Sequence, residues 1–192
     1  MPSDQITFAG VEFGSGRKPV TFAALDDGLN VQALENWDIS EALSCFKDYE
    51  NIWVAINVSA RDQEAYSDFK KKLSQSGFKS YSNKNDPKQF LVTDAQDCFH
   101  ALSGHKLFPR RSLEGRLQRS AILYEQGLQI TDPIDIFEEF TRYKLIQGIL
   151  PLENIHSTKE LDALAAAYLA WMAVNRPGQI VLKGEFALPV GE

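Results

Sequence analysis

The chain has 192 residues, of which 44% are apolar, 24% charged and 11% aromatic. A chain of this length fits one domain and buries roughly 70% of the surface it exposes when unfolded, which excludes disorder for its bulk. The 26 acidic and 20 basic residues give a formal charge of −6 and exclude a general basic cloak for nucleic acid, so any phosphate contact must be local.

Cys45 and Cys98 each precede a phenylalanine and read as small buried hydrophobes, not as a bridge or a metal pair. Met1-Pro2-Ser3-Asp4-Gln5 has neither a basic nor an apolar leader region, and no run approaches the roughly 18 to 20 apolar residues of a membrane helix. The expected setting is soluble, reducing and cytoplasmic, with no membrane partner.

In chain order, Ile6 to Phe13, Val20 to Leu25 and Leu29 to Leu34 read as three strands joined by short glycine-containing turns, an antiparallel meander. Asp38-Ile39-Ser40-Glu41 starts a helix near 39 to 49. Asn51 to Ser59 is a continuous apolar run, the pattern of a strand covered on both faces in a partly parallel sheet. A helix from about Asp62 to Gln75 follows, then a polar stretch from Ser80 to Lys88 that suits a mobile loop or insertion tip. Gln89 to Thr93 suggests a short strand and Asp94 to Leu102 a short helix.

Ser112 to Gln126 predicts a helix closed by Gly127, and Ile134 to Phe140, after Asp132-Pro133, predicts a strand. Ser157-Thr158-Lys159-Glu160 is a capping box that opens a final helix ending at Arg176-Pro177-Gly178. The expected architecture is a single α/β domain with a mixed five-stranded sheet flanked by helices, its first three strands antiparallel, with an insertion near 62 to 110.

Asp162 is the most informative position. From Leu161 onward the final helix is apolar all round apart from this residue, so the helix is packed on several sides. A carboxylate there either faces inward and requires a partner, metal or water, or faces solvent near the positive end of the helix dipole. Glu12 is the one charge in the first strand and shares a face with Ile6, Phe8 and Gly10 by the two-residue period. As a strand-end residue, it reads equally as a solvent-facing group or as a core-side acid. Glu138 and Glu139 are adjacent, so only one can point inward from a strand. Carboxylates from separate segments that converge on one point are what a divalent-metal phosphoryl-transfer site requires.

Four segments carry a resemblance: Ala9-Gly10-Val11-Glu12-Phe13-Gly14, Ile52-Trp53-Val54-Ala55-Ile56-Asn57, Ile136-Phe137-Glu138-Glu139-Phe140, and the stretch from Glu160 to Ala167. In order and spacing they resemble the motifs of a domain-of-unknown-function family described as predicted RNase H-like nucleases. The resemblance implies an RNase H-like fold and a Mg²⁺- or Mn²⁺-dependent nuclease. On it, Glu12 matches the first-strand acid, Glu138 the third-strand acid and Asp162 the helix acid, so that Glu12, Glu138 and Asp162 would be catalytic ligands. Two departures stand out. Position 12 is Glu where the family has Asp, and Asn57 stands where an acid is expected, as a neutral and weaker ligand.

Basic residues gather at Lys106, Arg110 and Arg111 and continue through Arg116 and Arg119. They read either as a grip on a phosphate backbone, with Phe108 or Tyr124 available to stack on a base, or as a solvated face with a structural arginine or two. Arg116 and Arg119 are three apart, so one of them is a candidate partner for a buried acid. The expected function is a metal-dependent nuclease. The alternatives are a catalytically impaired RNase H-like module that binds nucleic acid or a protein, and an enzyme acting on a small phosphorylated substrate.

Overall fold

The computed structural model describes residues 6–15, 17–59, 63–81, 86–148 and 155–191. Part of the polar stretch from Ser80 to Lys88, and the side chain of Glu139, lie outside the described residues.

The meander forms as expected. Strands β1 (Thr7–Phe13), β2 (Val20–Leu25) and β3 (Val31–Trp37) pair antiparallel in succession. β3 starts later than its apolar run suggests, because the Asp26 carboxylate accepts hydrogen bonds from the backbone and side-chain nitrogens of Asn30, and Leu29 sits in the turn at φ 61°. Helix α1 (Ile39–Asp48) opens with a capping box between Asp38 and Glu41. The apolar run becomes β4 (Ile52–Asn57), parallel to β1. Helix α2 (Gln63–Gln75) and the two-residue β5 (Lys79–Ser80) lead to β6 (Lys88–Thr93), parallel to β4. Thus the segment expected as an insertion supplies an interior strand.

Helix α3 (Ala95–Ser103) is capped by Asp94 and ended by Gly104 in the left-handed region, where glycine carries no steric cost. Helices α4 (Leu113–Glu125), α5 (Pro133–Ile146) and α6 (Thr158–Asn175) follow, and the chain closes with the hairpin β7 (Ile180–Lys183) and β8 (Phe186–Pro189). Among the described residues the sheet has eight strands, not five, in the order β3-β2-β1-β4-β6-β8-β7, with β5 beside β6. The fold is mixed α/β.

Two expectations are corrected. Residues 134–140 are helical. Pro133 takes the first helical position, where its missing N–H is no loss, and the Asp132 carboxylate accepts from Ile134 N at 2.8 Å. The extra strands come largely from the C-terminal hairpin, turned at Gly184 with φ 65°.

The sheet is covered on both faces. Phe8, Ala23, Leu25, Trp53, Ala55 and Leu91 point to the side covered by α3, α4 and α6. Their alternates Ala9, Val11, Phe22, Val54 and Ile56 point to the side of α1 and α2. Every residue of α6 from Leu161 to Ala173 is buried. Among the described residues no helix is long and apolar enough to cross a membrane.

Candidate functional site

Period two puts Glu12 on the α6 side of β1, two residues beyond Gly10, and the parallel register sets it against Asn57 of β4. The same row runs on through the antiparallel partner Thr21 to Asn36 on one side and from Asn57 to Thr93 on the other. Five neighbouring strands therefore each place one polar residue in line, and these residues close the α6 face of the sheet.

Gly10 brings the helix to this row. A Cβ at that position would lie 1.8 Å from the Ala163 carbonyl oxygen and 2.5 Å from the Ala167 nitrogen, so β1 and α6 touch backbone to backbone. Asp162, one residue before Ala163, is thereby carried against Glu12. Asp162 is 1% exposed and Glu12 6%.

Between them sits Arg110, from the loop joining α3 to α4. Its Nη2 donates to Glu12 Oε1 at 3.2 Å and also to Asp162 Oδ2. Asn57 commits both ends of its amide: Nδ2 donates to Glu12 Oε2, and Oδ1 accepts from Ala95 N, in the first turn of α3, at 2.7 Å. An aspartate at 57 would bring a second carboxylate against Glu12 in place of this donor.

Burial lifts the Asp162 carboxyl from its ordinary 3.8 to about 6, with Arg110 and then Arg119 pulling it back and Asp94 adding to the rise. Arg119 is fully buried. Its Nη1 donates to Gly115 O at 2.9 Å and to Phe108 O at 3.3 Å, its Nη2 to Gln96 Oε1 at 2.7 Å, and its guanidinium lies over the Phe99 ring. Burial lowers its pKa, with the Asp162 charge opposing.

In front of Arg110 opens a cleft of about 630 Å³ whose walls include Gly14, Ser59, Arg111, Thr158 and Lys159. Lys159 lies across Gly14, where any side chain would collide with its ammonium end.

The expected residues are thus divided. Glu12, Asn57, Asp162 and Arg110 come together, and Arg111 lines the adjoining cleft. Glu138 is exposed on α5, which packs on α4, and it is not part of this cluster. Arg116 is a strut, donating from Nε to His156 O at 2.8 Å and from Nη2 to Ile155 O, so that it fixes the approach to α6. Arg119 is walled in and has no surface to offer a phosphate, while Lys106 is exposed and its carbonyl accepts from Gln118 Nε2. Lys159 went unread in the sequence because a lysine in a capping box looks like an ordinary first-turn residue. Arg110 drew notice as a phosphate ligand, whereas its direct partners are the two acids.

These residues do not fit a divalent ion as they stand. The guanidinium lies between the carboxylates, the Asn57 amide is committed, and among the described residues no group of three His, Cys, Asp or Glu side chains can hold a metal. No family model, curated protein or solved structure matches the chain.

Proposed function

We propose that the protein is an RNase H-like domain that binds the phosphate backbone of a nucleic acid without hydrolysing it. The RNase H-like reading is supported by the strand order, an antiparallel β1-β2-β3 meander continued by parallel β4 and β6, and by the final long helix lying on β1 beside its acidic residue. The observation that carries the rest is Arg110. A guanidinium that already pairs with Glu12 and Asp162 neutralises the charge that would attract a metal ion, and it leaves the cleft in front cationic.

Arg111 and Lys159 flank that cleft, and the hydroxyls of Ser15, Ser59 and Thr158 line it with hydrogen-bonding groups that suit phosphate oxygens. With the chain as a whole at −6, binding would depend on these few cations and fall steeply with salt. The nuclease reading keeps one supporting observation, the meeting of Glu12 with Asp162, and it requires Arg110 to withdraw and a Mg²⁺ or Mn²⁺ ion to take its place.

Fluorescence anisotropy with a labelled single-stranded oligonucleotide tests the proposal. Binding is expected at low salt, and Arg111→Ala with Lys159→Ala should lower the slope of log K against log salt by roughly 1.4, about 0.7 per lost single-strand phosphate contact. Equal binding by wild type and the double variant would refute it. So would cleavage of the oligonucleotide in Mn²⁺, which would restore the nuclease reading.

A further inference from the structure

We infer that Arg110 is the resident cation of the Glu12–Asp162 pocket, and that the pocket accepts a divalent ion only when this side chain is removed. Both acids are almost fully buried, and both reach the same nitrogen, Nη2. Two carboxylates sharing one atom's surroundings cannot both stay ionised without a cation between them.

The neighbouring groups complete the balance. Arg119 adds a second positive charge near Asp162 but is pinned by Gly115 O, Phe108 O and Gln96 Oε1 and cannot move in to replace Arg110. Asn57 offers Glu12 a donor in place of another negative charge. Two guanidiniums thus stand beside the two acids, with Asp94 adding a further negative charge near Asp162. Of the two arginines only Arg110 faces the cleft, with 41% of its side chain exposed, and Glu12 lines the same cleft, so removing Arg110 frees the space between the two acids on a side that already meets solvent. The inference concerns what fills the acidic pocket and does not depend on whether the cleft binds an oligonucleotide.

The test uses the whole chain and Mn²⁺ alone, with free ion followed by electron paramagnetic resonance and Tm measured in about 1 mM MnCl₂ or in EDTA. Wild type should take up no Mn²⁺ and show the same Tm in both. Arg110→Met should melt lower in EDTA and regain about 3 to 5 °C in Mn²⁺, as mass action predicts at roughly tenfold excess over Kd. Arg110→Gln, which keeps a donor to the acids, gives the same readout if Arg110→Met does not fold. Arg110→Met with Asn57→Asp should bind the ion more tightly still, because a third carboxylate joins the set. Uptake of Mn²⁺ by wild type as strong as by the Arg110 variants would overturn the inference, as would Arg110 variants indifferent to Mn²⁺ in both Tm and ion uptake.

Discussion

Asp162→Asn isolates the cost of holding a charge at the heart of the site. The Asp162 carboxyl is held near 6 against an ordinary 3.8, with burial the leading cause and Arg110 opposing it. The folded chain therefore binds this proton more tightly than the unfolded chain, and stability rises as pH falls through 6 toward 4 and is lost again on the way up. For a group shifted this far, lowering the pH from 7.5 to 4.5 should stabilise wild type by about 2 kcal/mol relative to Asp162→Asn, roughly 4 to 8 °C in Tm for a chain of this size. Any fixed offset from the new amide cancels, because only the change of the difference with pH is used. Urea unfolding of both proteins across that range supplies the numbers. Parallel curves would refute the reasoning, since they would mean the acid ionises as freely folded as unfolded. A slope of opposite sign would show that the Arg110 pair outweighs burial.

Two further predictions concern the frame of the site. Gly10→Ala pushes a methyl into the Ala163 carbonyl and the Ala167 nitrogen, both backbone, so it should cost about 2 kcal/mol or more, whereas Gly178→Ala, with open space around it, should be neutral within about 0.5 kcal/mol. Thermal melts that coincide for the two variants would count against the backbone contact. Cys98 is buried, shares a hydrogen bond with Thr93 at 2.9 Å, and has its thiol pushed up to about 12 by burial, so a thiol reagent should label Cys45 in the native protein and reach Cys98 only on unfolding. Equal labelling rates for the two thiols in the folded state would contradict this placement.

The meander, the buried β4 run and α6 were legible in the sequence because each is set by a local rule: turn chemistry, a run covered on both faces, or a capping box. The face of Glu12 followed from period two, whereas the apolar residues around Asp162 left it either inward or solvent-facing, and the contact of α6 with β1 at Gly10 decides for the inside. Residues 134–140 misled because Ile134 and Ile136 alternate like a strand, while the deciding feature, Asp132 capping a helix that starts at Pro133, weighs little in a hydrophobic pattern. The role of Arg110 was hidden for a different reason. It joins three segments, 12, 110 and 162, through side-chain contacts, and spacing along the chain carries no trace of which cation faces which acid.

The contact at Gly10 has a wider consequence. Since main chain rests on main chain there, the separation of strand and helix is a property of the scaffold and is set without the side chain that fills the space between their acids. Changes at position 110 can therefore exchange one occupant for another while the walls stay put, which makes this notch a convenient place to redesign ion chemistry without rebuilding the protein around it.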